Sequence, residues 1–332
     1  MPKPSPSPKR RGRRLLRFGA ACVVLSAVAG YVVVQYVSGG AGDPGCRVVS
    51  GSGTGPSYEF TPEQAVNAAT ITAVGTNRNM PERAVAIALA TSLQESGLRN
   101  LTHGDRDSLG LFQQRPSQGW GTAKEVSDPA YAANVFYEHL AKVPDYTKLP
   151  LTVAAQRVQR SGYPEAYAKH EPDATLLAAA LTGTSAAALT CDGRLAAATA
   201  TGPDAVRAAL VRDFGRDALK AAGAEADGGT TSASAAGVAP SAETDGRTVT
   251  LPVSKETTAA GRSVEERGWQ LAHWAVANAS ALHIERVSYA GREWTAGNTD
   301  SRWRPSGTGA AEAAGAAGAG GGTGSVRIVT GE

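Results

Sequence analysis

Histidine, cysteine and aromatic residues are all sparse in this 332-residue chain: five His, three Cys, and 6% Phe, Trp and Tyr together. The histidines (103, 139, 170, 273 and 283) fall at no paired-ligand spacing, and no HExxH, CxxC or Cys/His cluster accompanies them. That pattern speaks against the common zinc arrangements, so neither a metal nor another cofactor is expected. Acidic residues are missing from Met1 to Arg17, where Lys3, Lys9, Arg10, Arg11, Arg13, Arg14 and Arg17 stand together. The remainder is close to neutral or mildly acidic. The formal net charge of +3 therefore does not mark a nucleic-acid binder. A basic block beside an apolar run is a signal of membrane topology instead.

That run extends from Phe18 to Val37 without a charged side chain. About 20 helical residues at 1.5 Å each cover the roughly 30 Å hydrocarbon core of a bilayer. The expectation is a basic cytoplasmic tail (1–17), a transmembrane helix (18–37) and an exported remainder, giving a single-pass cell-membrane protein whose functional domain is extracellular. A cleaved signal peptide is the competing reading, with Ser38-Gly39-Gly40-Ala41 offering small residues for cleavage. Cys22 lies inside the run as a small apolar residue. Cys46 and Cys191 lie beyond it and bracket one segment. If they pair, the disulfide closes a loop of roughly 145 residues, for which loop entropy gives about 4–5 kcal/mol. The alternative is two free thiols.

Composition and periodicity divide the rest. Residues 38–57 are Gly-rich and read as a linker. In 58–191 helical signals follow one another. Thr61-Pro62-Glu63-Gln64 combines a cap, a first-turn proline and a capping box. A turn is expected at 75–79. A second helix opens at Asn79-Met80-Pro81-Glu82 and stops at Gly97, which puts Glu95 in its last turn. Further helices are expected from Asp128-Pro129 to about Val143, over 151–160, over 163–171 and over 173–181. No strand is expected there beyond a short hairpin near 108–120. Residues 192–202 read as a second linker. Residues 203–332 read as a small α/β domain with a low-complexity insertion at 223–246, built from a helix over 204–222, strands over 247–253, 284–289, 292–296 and 325–329, and a helix over 263–282. Trp269, Trp274, Trp294 and Trp303 fit either a carbohydrate-binding face or, for most of them, a core.

The chemistry-bearing stretch is Glu95-Ser96-Gly97, followed by Gly104-Asp105-Arg106-Asp107 and Gly110-Leu111-Phe112-Gln113. A lone acid at a helix C-terminus among apolar neighbours has its pKa raised, the condition a carboxyl needs to protonate a leaving oxygen near neutral pH. These motifs resemble those of soluble lytic transglycosylases and goose-type lysozymes, which share a Glu-Ser at a helix end and a later Gly-Leu-Met-Gln. Here Phe112 stands for the Met. The resemblance covers about residues 60–185. It implies peptidoglycan as the partner and Glu95 as the acid/base. It also implies contacts to the substrate from Ser96 and Gln113, while Gly110 lets the loop come close to the sugar.

Asp105 matches the Gly-Asp of goose-type lysozymes and is the candidate second carboxylate, with Asp107 next. The first would activate water in an inverting hydrolase. A transglycosylase would do without it. The family's Ala-Tyr-Asn-Ala-Gly is missing. Gln159, Ser161 and Tyr163 stand in a similar place and are candidates to line the groove. Trp120 and Tyr131 are candidates to stack on sugars. The expected architecture is thus mainly α: a lysozyme-like helical domain and a small C-terminal α/β domain behind one transmembrane helix. The expected activity is cleavage of peptidoglycan glycan strands. A non-catalytic wall-binding or scaffold protein on a degenerate lysozyme fold is the alternative.

Overall fold

The computed structural model describes residues 45–51, 55–160, 164–191, 201–215, 243–253, 262–297, 302–306 and 324–331. The expected spans 1–17 and 18–37 lie outside them, as does most of 192–202 and all of 223–242.

Helix α1 (Pro62–Asn77) starts as its sequence dictates. Thr61 accepts from the backbone of Gln64, and the Gln64 side chain accepts from the Thr61 N–H. Two of the helix's orphan donors are thereby satisfied. The helix runs through Gly75 instead of turning there. A Cβ on Gly75 would come within 2.6 Å of the Tyr137 ring, and the Tyr137 hydroxyl donates to the Ile71 carbonyl. The glycine makes room for an aromatic ring and does not break the helix. Helix α2 (Glu82–Ser96) ends at Gly97, whose φ of 63° closes it in the left-handed region. Every residue from Ala84 to Leu93 is buried. Its alanine-rich surface lets α1, α4 (Pro129–Ala141), α5 (Leu151–Gln159), α6 (Glu171–Thr182) and the 3-10 segment Pro164–His170 surround it. A short helix α3 (Ala123–Val126), with its own Thr122/Glu125 capping box, precedes α4.

Two antiparallel sheets correct the mainly helical expectation. The first is three-stranded. Strand β1 (Cys46–Val49) is central, flanked by β2 (Ser57–Phe60) and β3 (Leu189–Cys191), and Cys46 faces Cys191 in register. The two cysteines form the disulfide. These strands hold three or four residues each, too few to display a period of two, and β1 and the first residue of β2 lie in a stretch that reads as linker. The second sheet has six strands in the order β4-β5-β9-β6-β7-β8, again all antiparallel. They are β4 (Glu243–Asp245), β5 (Thr248–Val253), β6 (Ile284–Tyr289), β7 (Arg292–Thr295), β8 (Arg304–Pro305) and β9 (Gly324–Thr330). The β6–β7 hairpin turns at Ala290-Gly291, both at positive φ. The expected hairpin near 108–120 is reduced to one bridge, Leu109 to Gln114.

Helix α7 (Gly202–Phe214) packs on α1, and α8 (Val264–Ala277) lies between the six-stranded sheet and the helices α1 and α6. The expected helix over 263–282 divides at Asn278 into α8 and a short α9 (Ala279–Leu282). Elements from both sides of the expected 192–202 linker thus share one core. His273 and Trp303 bond Ala188 and Leu189 across it, and Asp213 accepts from Thr70 and Trp274. All four C-terminal tryptophans are buried in this core.

The expected single-pass placement at the cell membrane is corrected too. Among the described residues no helix is long and apolar enough to cross a membrane. The longest, α1, has 16 residues. At 1.5 Å per residue it extends about 24 Å, short of a bilayer's hydrocarbon core.

Candidate active site

The end of α2 carries Glu95 out of the core and into an open cleft of about 880 Å³. Its carboxyl is half-buried. The buried Tyr167, on the 3-10 segment, donates its phenolic proton to Glu95 Oε1 at 2.6 Å. Gln159, at the end of α5, also bonds the carboxyl. Burial pushes the Glu95 pKa up, while the bonds from Tyr167 and Gln159 pull it part of the way back. The Gln159 Nε2 donates to the Phe112 carbonyl at 2.7 Å. Its Oε1 is buried and has no donor among the described residues.

The loop carrying the second motif is fixed to α2 from below. Ser96 is buried, and its hydroxyl bonds the carbonyls of Ser92 (3.0 Å) and Leu111 (2.8 Å). It faces away from the cleft and ties the loop to the helix that bears Glu95. Gly110 is buried as well, at φ 75°. A Cβ there would lie 2.2 Å from the Val126 carbonyl, so the close approach it permits is to the protein's own backbone. Gln113 does line the cleft, in the left-handed region at φ 47°, with its Nε2 donating to the Gly110 carbonyl.

Of the two candidate second carboxylates, Asp105 lines the cleft with its side chain 93% exposed. Asp107 does not line it. Asp107 takes Arg115 at 2.8 Å and both the amide and the hydroxyl of Ser117, and these donors hold its pKa far below the usual carboxylate range. It shapes the turn. Gln159 lines the cleft as expected, whereas Ser161 and Tyr163 lie outside the described residues. Trp120 lines it, stacked on His139 with centroids 4.3 Å apart. Tyr131 instead bonds the Trp120 carbonyl from behind. His103 is exposed on the loop and does not line the cleft. No group of three or more His, Cys, Asp or Glu able to hold a metal occurs among the described residues.

Sequence reasoning passed over Tyr167, Lys142, Arg157 and Arg160. The last three line the cleft from the ends of α4 and α5. Tyr167 left a faint signal as a second tyrosine four residues past Tyr163, and the 3-10 segment Pro164–His170 carries it to Glu95. The cations gave none, because exposed Lys and Arg at helix ends are ordinary.

A family model described as VldE, C-terminal domain, matches residues 209–314. The match covers about a third of the chain and begins after the last residue of the cleft. No curated protein matches the chain.

Proposed function

We propose that this chain cleaves the glycan strands of peptidoglycan, with Glu95 as the general acid. The observation that carries the reading is the Glu95 carboxyl itself, set at the rim of a core helix, open to a cleft, and shifted by burial towards its protonated form. Support also comes from the resemblance of Glu95-Ser96 and Gly110-Leu111-Phe112-Gln113 to the motifs of lytic transglycosylases and goose-type lysozymes.

In the reaction, the Glu95 hydroxyl gives its proton to the glycosidic oxygen as the bond from that oxygen to the anomeric carbon breaks. The leaving sugar departs as an alcohol and the remaining ring becomes an oxocarbenium ion. Tyr167 stabilises the carboxylate left behind. That carboxylate then takes the proton of the ring's own 6-hydroxyl as O6 bonds to the anomeric carbon, giving a 1,6-anhydro end. The one-carboxyl route is favoured because Asp105 is almost fully solvated and has, among the described residues, one distant ion-pair partner, Arg106 at 4.0 Å. A base that must hold one water in line needs firmer support than that.

Purified peptidoglycan incubated with the protein should release muropeptides with anhydro ends, read by mass spectrometry. Glu95→Gln should lower release by about 100- to 10,000-fold, the usual worth of a positioned acid/base, with an unchanged circular dichroism spectrum. If the folded wild-type protein releases nothing, the reading fails. Reducing ends abolished by Asp105→Asn would replace the anhydro route with a hydrolytic one.

A further inference from the structure

The cleft's walls differ in charge. Its lining carboxylates are Glu95 and Asp105, against the cations Arg106, Arg115, Lys142, Arg157 and Arg160. Arg115 is neutralised by Asp107, and Arg106 lies 4.0 Å from Asp105. Lys142, Arg157 and Arg160 have no ion-pair partner among the described residues, and all three are exposed. They sit where α4 and α5 end. Cations are favoured at helix C-termini for local reasons, so their presence alone decides nothing.

Two further observations do. First, Arg160 closes α5 at φ 52°, ψ 39°. Glycine takes this left-handed cap without strain, whereas a residue with a Cβ costs about 1 kcal/mol or more. Of the nine non-glycine residues at positive φ among the described residues, Arg106, Gln113 and Arg160 line this one cleft. Backbone strain held around a cavity points to side chains kept for a ligand. Second, His139, stacked on Trp120, lies near two of these cations. Its pKa is lowered first by burial and then by the charge of Lys142, with Glu138 opposing and Arg160 adding to the fall. The wall therefore pairs a His–Trp stack, suited to a sugar face, with three charges that lack an ion-pair partner among the described residues.

We propose that Lys142, Arg157 and Arg160 form a subsite for carboxylates pendant on the glycan, so that the cleft selects an acidic polysaccharide over a neutral one of the same backbone. The subsite rests on the glycan-cleaving reading of the cleft and names what that glycan must carry. Exposed charge pairs are individually weak. Three acting on one substituent give about a tenfold preference, which added salt should erode.

The experiment measures binding, not turnover, with Glu95→Gln as host so that the ligand survives. Titration calorimetry compares a four-sugar peptidoglycan fragment bearing free peptide carboxylates with the same fragment after its carboxyls are amidated. The expected result is tighter binding of the acidic fragment by about tenfold at low salt. The triple variant Lys142→Gln, Arg157→Gln, Arg160→Asn should lose that preference and keep its affinity for the amidated fragment. The retained affinity shows that the cleft is intact. Equal binding of the two fragments, or a preference that survives the triple variant, overturns the proposal. So does competition by inorganic phosphate stronger than by acetate, which would assign the wall to phosphate. Because no bond is cleaved in this measurement, it stands even if Glu95 proves not to be the acid. Absence of muropeptide release by the wild type would sink only the catalytic reading.

Discussion

Tyr167 and the apolar core act on one carboxyl in opposite senses. Burial favours the protonated acid, and the phenol's bond to Oε1 favours the carboxylate. In a general-acid role Glu95 works while protonated, so activity falls as pH rises through its pKa. Tyr167→Phe removes an influence that lowers the pKa, and the alkaline limb of the pH–rate profile for muropeptide release should move to higher pH. A limb that stays in place would mean that the phenol merely packs. At this scale the sequence was informative about Glu95 and Gln113, because a buried helix ending in an acid and a glycine-bounded loop are both local patterns. It was less informative about Ser96 and Gly110. A motif states which residues recur, whereas the direction a side chain faces depends on what packs behind it. Here those neighbours are the carbonyls of Leu111 and Val126.

Between elements, α6 and α8 approach closely. Gly183 follows α6 at φ 90°, and a Cβ there would lie 1.8 Å from the Glu266 carbonyl. Gly183→Ala must displace backbone as well as adopt a strained φ. The expected loss is about 3 kcal/mol in urea unfolding; a change below about 0.5 kcal/mol would mean that the contact is loose. The same seam holds His273. The Ala180 carbonyl can only accept and the Ala188 N–H can only donate, so Nδ1 carries the proton and Nε2 is bare. Burial pushes this ring's pKa down to about 4, against about 6.5 in the unfolded chain. The sign follows: the stability is fully present above pH 6.5 and is lost as pH falls towards 4, by about 3 kcal/mol at most. Urea midpoints measured from pH 7 to 4 should decline over that window, and His273→Gln should flatten the decline. The helix boundaries at Thr61 and Gly97 were legible because caps are local chemistry. Gly75 misled because its partner, Tyr137, is 62 positions away in the chain.

For the molecule as a whole, two expected domains turn out to share helices. The buried tryptophans 269, 274, 294 and 303 report on the region after residue 201, while helix content is divided between both regions. Tryptophan fluorescence and far-ultraviolet dichroism should therefore trace one coincident thermal transition, and two separated midpoints would mean independently folding halves. The composition change after Cys191 suggested a boundary, and a sequence read in order cannot tell a linker from a crossing that brings the chain back to its own core. The three-stranded sheet escaped notice for a similar reason: β1 finds its partner β3 some 140 residues on.

Ser96 is where these scales meet. Its hydroxyl joins the α2 end to the Leu111 carbonyl, and Gln159 grips the next carbonyl, Phe112. The acid and its loop are therefore clamped, while the lysine and arginine side chains at the ends of α4 and α5 are long, solvated arms. On the proposed glycan-cleaving reading, a vice of this kind sets the cutting point from its rigid side. Tolerance for variation along the polymer then comes from the pliable arms, so changes in what the protein accepts should arise by exchanging those arms without disturbing the anvil.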